Sequence, residues 1–286
     1  MGDTSETYPL ARDSTESTRL NNQHSFIVEA VGGLIDSAVP LENITSIADV
    51  GTGTGIWLHE VRDFLKSKVP NKEHRTFHGF DISAAQFPDP PPKDVSFSCQ
   101  DILKPFPPEH HGRYDLVHVR LLVTAFPEKD YETAVRNLVE ILKPGGFIQW
   151  TDLNCASLSS PTSTDLTDPR SSFLASTWLK FLESKRLAVD APASLTDVFE
   201  KAGLADVRNT GYPQHDCGQA LKIRAQKWQA DSLATVVERL LSRNGNREAD
   251  SKRKVEAEIA KLWEYFEDGG RVLGIRFGVV VERKAA

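Results

Sequence analysis

The chain has 286 residues, 40% of them hydrophobic, enough to bury the core of one large α/β domain or two small ones. Its 40 acidic and 34 basic side chains leave a net charge of −6, which argues against a broad footprint on nucleic acid or anionic membrane. Cys99, Cys155 and Cys217 are odd in number, far apart and without a CxxC pair. That argues against a disulfide framework or a zinc site and suits a reducing compartment. Met1 to Gln23 is polar, without the apolar stretch of a signal peptide, and no apolar run nears the roughly 18 residues of a membrane span. A soluble, cytoplasmic protein is the expectation.

Residues 1–20 are rich in Thr, Ser, Asp and Glu and are expected to start disordered, with Tyr8-Pro9-Leu10 apolar enough to dock. Phe26, Ile27, Ala30, Val31 and Leu34 recur every three or four positions and predict a first helix over about 22–37. Short apolar runs predict strands at about 46–50, 76–80, 95–98, 114–119 and 147–151. A helix is expected over about 56–66, and another over 130–142 that Pro144-Gly145-Gly146 stops. The Pro-rich 87–92 is a loop. Strands alternating with helices through about residue 152 signal βαβ units and a parallel sheet.

Beyond that point the rhythm changes. Cys155 to Arg170 is mostly Ser, Thr, Pro and Asp and reads as a loop. Helices are predicted at about 171–187 and 195–202, then a strand at 207–211. Two long helical patterns follow, one carrying Leu233, Val236, Val237, Leu240 and Leu241, the other Val255, Ile259, Leu262, Trp263 and Phe266. A last strand is predicted at 272–281, with a twist or bulge at Gly274 or Gly278. The helical stretch 217–268 is expected to be an insertion between the last two strands that covers the open end of the sheet.

The most specific stretch is Ile47-Ala48-Asp49-Val50-Gly51-Thr52-Gly53-Thr54-Gly55. An apolar strand ends in an acid, and glycines follow at every second position. Such a loop lets backbone pass close to a ligand, with a helix N-terminus aimed at the same spot. A dinucleotide fingerprint, Gly-x-Gly-x-x-Gly, would need glycine at position 56, which is Ile56. In an open parallel sheet, ligands bind beyond the carboxyl ends of the strands. There the chain delivers Asp81, Asp101, His118, Arg120, Trp150 and Asp152.

Asp81 is suited to accept both hydroxyls of a ribose. Asp101 is suited to accept from the exocyclic amine of adenine, with the Ile102 amide donating to the ring. Asp49 faces a ligand ammonium, directly or through water, or ties down the glycine loop. His118 is the titratable candidate for a general base, or a structural histidine. Arg120 is a candidate for orienting an acidic substrate group, Asp152 for holding a substrate amine, and His24 for contacting substrate. The tryptophans read first as packing, with Trp150 and Trp178 kept as candidate substrate contacts. His110-His111 reads as surface, and no metal-ligand spacing is present.

This series resembles the class I S-adenosylmethionine-dependent methyltransferases: Asp49 to Gly55 is similar to motif I, Tyr114-Asp115-Leu116-Val117 to motif IV, and Leu142 to Gly146 to the loop before strand five. Tyr8-Pro9-Leu10-Ala11-Arg12-Asp13, with Glu16-Ser17, Arg19-Leu20 and Gln23-His24, resembles the N-terminal signature of fungal secondary-metabolism methyltransferases, the group that includes gliotoxin-pathway N-methyltransferases. That group usually has glycine where this chain has Ala11.

The resemblance implies a Rossmann-like α/β fold with a seven-stranded sheet, six strands parallel and the last antiparallel, plus a helical cap. It implies an N-terminal segment (1–24) that closes over the cofactor, a binding core (25–152), and a remainder (153–286) that carries the cap at about 153–203 and 217–268. The implied cofactor is S-adenosylmethionine, with S-adenosylhomocysteine as product and no metal. It would be held by Tyr8, Arg12, Asp49, Gly51, Thr52, Gly53, Gly55, Asp81, Ile82, Asp101, Ile102 and His118. The implied reaction is methyl transfer to nitrogen or oxygen of a small molecule, by a monomer or homodimer. A dehydrating or pericyclic enzyme with the same bound cofactor, and a regulatory relative, are the alternatives.

Overall fold

A computed structural model describes residues 14–71, 74–160, 163–212, 218–243, 247–270, 272–273 and 275–285. Seven strands form one sheet: β1 (Ser46–Val50), β2 (Thr76–Asp81), β3 (Val95–Cys99), β4 (Tyr114–Arg120), β5 (Leu142–Asn154), β6 (Ala205–Tyr212) and β7 (Arg276–Arg283). Their spatial order is β3-β2-β1-β4-β5-β7-β6. β1 to β5 pair in parallel, and β7 runs antiparallel to both β5 and β6. The order reverses at β1, so a crevice opens beyond the ends of β1 and β4, where open α/β sheets hold their ligands.

The helices are α1 (Ser14–Ala30), α2 (Ile56–Lys68), α3 (Tyr131–Ile141), α4 (Thr164–Thr167), α5 (Ser172–Lys185), α6 (Ala191–Lys201), α7 (Gln219–Arg243) and α8 (Glu248–Glu267). Every residue of β1 is buried, because helices cover both sheet faces. Its side chains alternate between two cores. Ile47 packs with Trp57, Leu58, Val61 and Leu65 of α2, whereas Ala48 and Val50 join a larger core with Tyr131, Ala134 and Leu138 of α3. α7 and α8 lie in sequence between β6 and β7, and α7 packs against α1, α5 and α8.

Several boundaries differ from the sequence expectation. The first helix spans Ser14–Ala30 rather than 22–37. It ends because Gly32 and Gly33 take φ of 81° and 154°, after which the Gln149 side chain pins the loop through Leu34 O and Asp36 N. The polar first half is helical through tertiary docking, which no local apolar stripe encodes. β5 begins at Leu142 and runs through the expected Pro-Gly-Gly stop. Reciprocal backbone bonds, Gly145 N to Lys284 O and Lys284 N to Gly146 O, carry it across. The 155–170 loop contains α4 and a short 3-10 turn. α6 starts four residues early, with Asp190 accepting from Ala193 N as its cap and proline in the first turn.

The last strand starts at Arg276 rather than 272. Gly278 marks no bulge: a Cβ there would lie 2.4 Å from Pro192 Cγ, so this glycine lets α6 press directly on the sheet. The irregularity sits opposite, between Ala205 and Arg208 of β6, where Asp206 takes φ of 68°. Gly274 lies outside the described residues.

Candidate active site

Gly51, Gly53 and Gly55 adopt φ of 76°, 55° and 73°, a left-handed region that only glycine enters freely. The loop is stapled to the end of β2. Gly51 N and Thr52 N both donate to Phe80 O, and Gly53 N donates to Asp81 Oδ2 at 3.0 Å. Beneath it, Asp49 accepts from Thr52 Oγ1 and from His118 Nδ1, each at 2.7 Å. The His118 ring lies flat on Trp57, with centroids 3.7 Å apart.

A cavity of about 600 Å³ opens over this loop. At one end its wall is formed by Gly51, Thr52 and Gly53, then Asp81, Ile82, Asp101 and Ile102. Asp81 also accepts from Ser83 N through Oδ1, and Asp101 from Leu103 N. Ile82 is 43% exposed, an unusual amount of apolar surface for a ligand ring to cover. At the other end the wall is apolar, with Leu122, Val123 and Phe126 after β4, Trp178 of α5, and Trp228 and Leu233 of α7. Arg120 also lines the cavity.

Six candidates among the described residues do not line the cavity: Asp49 and Gly55 of the glycine-loop stretch, and His118, Asp152, Trp150 and His24, which stand behind the wall. His118, 2% exposed, does not line the cavity; it shores up Asp49. Burial lowers its pKa more than the Asp49 contact raises it, so the ring is neutral with its proton on Nδ1. Asp152 and Trp150 are both at 0% exposure, because their side chains point to the α3 face, where Trp150 meets Tyr131. The β5 residue that reaches the cavity is Leu153. His24, 1% exposed, is covered by Arg120, whose Nη1 donates to His24 Nδ1 at 3.1 Å. These placements set His118, Asp152, Trp150 and His24 behind the cavity wall rather than in its lining.

Asp152 has a positioning task there. It accepts from Leu122 N at 3.0 Å, from Trp150 Nε1 and from Leu153 N, which fixes the chain as it leaves β4. Leu121, in that exit, takes φ of 55°, a conformation that costs a non-glycine residue on the order of 1 kcal/mol or more. Burial pushes the Asp152 carboxyl up to about 7 against the pull of its hydrogen bonds.

Sequence reasoning assigned no role to Arg19, Leu20 and Gln23, which line the cavity from α1, nor to Gln229 of α7, and it took Trp228 for packing. Gln23 Oε1 accepts from Arg19 Nη1 and from Trp228 Nε1, joining α1 to α7. The available signal was the N-terminal signature, which contains Arg19-Leu20 and Gln23-His24. Tyr8 and Arg12 lie outside the described residues. Among the described residues no three His, Cys, Asp or Glu side chains are grouped to hold a metal, and no helix is long and apolar enough to cross a membrane.

A profile of the methyltransferase domain matches residues 25–209. Methyltransferase grgD of Penicillium sp. is 33% identical over 258 residues, covering 89% of each chain. N-methyltransferase sirN of Leptosphaeria maculans is 38% identical over 143 residues, covering 50% of this chain and 48% of that one. Among solved structures, phosphoethanolamine N-methyltransferase 2 of Haemonchus contortus superposes with a TM-score of 0.58 at 11% identity, over 99% of this chain and 60% of that one, a likeness of fold alone. The chain thus belongs to the methyltransferase-domain family, as a class I S-adenosylmethionine-dependent enzyme related to those of fungal secondary metabolism.

Proposed function

We propose that the protein transfers a methyl group from S-adenosylmethionine to a nitrogen of a small, largely apolar molecule enclosed in the cavity, releasing S-adenosylhomocysteine. The observation that carries this reading is the continuity of one cavity from the glycine loop to the apolar wall of α5 and α7. The residues present fit the cofactor. Asp81 and Asp101 offer carboxylates for ribose hydroxyls and an adenine amine, beside a loop free of Cβ atoms at Gly51 and Gly53.

Bound S-adenosylmethionine supplies a methyl group already activated on a sulfonium. The chain's own work is then to orient the acceptor and keep water out. Trp178, Trp228 and Leu233 present apolar surface for that, and Asp152 holds the Leu121–Leu122 turn against the acceptor. His118, the candidate base, and Asp152, the candidate for holding a substrate amine, stand behind the wall. A neutral amine asks for no base before it attacks, which favours nitrogen over a hydroxyl. The relatives named N-methyltransferases lean the same way.

The test is calorimetry of S-adenosylmethionine and S-adenosylhomocysteine on the wild type and Asp81→Ala, followed by transfer from labelled cofactor to panels of apolar amines and phenols. Loss of affinity in the variant by about tenfold to a hundredfold, with label appearing on amines, supports the proposal. Label on phenols alone overturns the choice of nitrogen. Cofactor binding with no transfer to either panel would point to the non-methylating alternative.

A further inference from the structure

We propose that Arg120 is the anion-recognising residue of the cavity, and that the small molecule seated against it carries a carboxylate. The inference rests on reading the cavity as the methyl-transfer site and adds the chemistry of one of its ligands.

Arg120 ends β4 and lines the cavity. Arg120 is half-buried in the cavity wall, and desolvation lowers its pKa despite the pull of Asp49 and Glu60. A half-buried arginine in an apolar wall is best matched by a carboxylate, which meets its charge and its paired donors together. Here no carboxylate comes within ion-pair distance among the described residues. Asp49, one of the two carboxylates whose charge reaches Arg120, already accepts from Thr52 and His118.

The protein gives Arg120 a neutral partner instead. A guanidinium only donates, so His24 Nδ1 must accept, and the histidine proton sits on Nε2. That nitrogen stands 3.0 Å from Glu60 Oε2, at ion-pair distance but outside hydrogen-bond geometry. Burial first, then the Arg120 charge, lowers the His24 pKa and keeps the ring neutral. His24 therefore anchors one end of the guanidinium without neutralising it. The fork has five N–H donors, and one bond to His24 leaves the others for the cavity, where Leu121, Leu122 and Trp228 lower the local dielectric. A carboxylate taken in bidentate fashion meets both needs, charge and donors.

Two molecules can bring that carboxylate: the amino-acid end of the cofactor, or an acidic acceptor. Calorimetry on the wild type and Arg120→Gln, with S-adenosylhomocysteine and with 5′-methylthioadenosine, which lacks the carboxylate, separates them. If the cofactor supplies it, the wild type prefers S-adenosylhomocysteine by about tenfold or more, and Arg120→Gln erases that preference while methylthioadenosine binds unchanged. If the acceptor supplies it, neither nucleoside responds to the substitution. Protein saturated with S-adenosylhomocysteine then binds 3-phenylpropionate about tenfold more tightly than 3-phenylpropionamide, and Arg120→Gln removes the difference. Affinities of all the probes within twofold of wild type in Arg120→Gln overturn the proposal.

Should Arg120→Gln not fold, Arg120→Lys carries the same comparison. It keeps the charge, loses the fork, and is expected to show an intermediate preference. A wild type that binds neither nucleoside sinks the methyl-transfer reading, and the acid-against-amide comparison on the free protein still judges Arg120 by itself.

Discussion

His118 donates from Nδ1 to Asp49 Oδ1 across 2.7 Å, in a layer that lies behind the glycine loop and out of reach of the cavity. The pair acts on the ligand only through the loop that it supports. His118→Phe keeps a ring against Trp57 but deprives a buried carboxylate of one of its donors. The expected result is a loss of about 2 kcal/mol in stability, read as a drop of several degrees in Tm, with weaker cofactor binding. The shape of the pH profile of kcat should not change. A variant of wild-type stability whose kcat loses its acidic limb would make His118 a base after all.

The Gln229 side chain bonds Leu273 twice, Nε2 to its carbonyl at 2.9 Å and Oε1 to its amide at 2.8 Å, as a neighbouring strand would. It thereby fixes α7 to the lead into β7 while itself lining the cavity. Gln229→Leu orphans the buried Leu273 N–H, at a cost of about 1–3 kcal/mol, while the Leu273 carbonyl keeps the Ile275 amide as donor. Because α7 gives the cavity Trp228 and Leu233 of its apolar wall, KM for the acceptor should rise about tenfold or more while the affinity for S-adenosylhomocysteine stays within threefold. Equal losses for both ligands would show that α7 serves the whole cavity.

The parallel strands were legible because strands covered on both faces read as apolar runs, and because an acid or glycine ends or follows the runs of β1, β2, β3 and β5 where ligands gather. Asp81, Ile82, Asp101 and Ile102 indeed lie on one wall. What stayed hidden depends on contacts distant in sequence. The α1 boundary is set by docking on the glycine loop and by Gln149 of β5. Alternation on β5 told that two adjacent residues face opposite ways, but not which one meets the cavity: Trp150 and Asp152 face α3, and Leu153 lines the cavity. The pairing of Gln229 with Leu273 spans 44 residues and has no local signature.

Tightness at Gly79 yields a further prediction. A Cβ there would lie 2.6 Å from Phe97 Cδ1 and 2.9 Å from Thr52 Cγ2, so even alanine must push the glycine loop or the β3 ring. Gly79→Ala should destabilise by about 1–3 kcal/mol as overpacking. The second substitution Phe97→Leu should recover part of that loss by making room. No recovery in the double variant would place the strain on the Thr52 side, and cofactor affinity would then fall with stability.

Glu282 of β7 is 1% exposed, neither carboxylate oxygen has a hydrogen-bond partner among the described residues, and burial pushes its carboxyl up to about 7. Asp206 and Glu200 add repulsion in the same direction. A carboxyl with a folded pKa above its unfolded value holds its proton more tightly when folded. Its stabilising contribution is thus whole below about pH 4 and is lost as pH rises toward 7. His78, lowered to about 4 by burial, works with the opposite sign, losing stability as pH falls below about 6.5, and Asp152, raised to about 7, works with the same sign as Glu282, so the wild-type profile alone mixes these groups. The difference between wild type and Glu282→Gln isolates the carboxyl. At pH 8 the variant should be more stable on the order of 2 kcal/mol, several degrees in Tm, and at pH 4 the two proteins should melt together. A constant offset across pH 4 to 8 would mean that Glu282 ionises as an ordinary surface acid, and that its burial between β7 and α6 is relieved in solution.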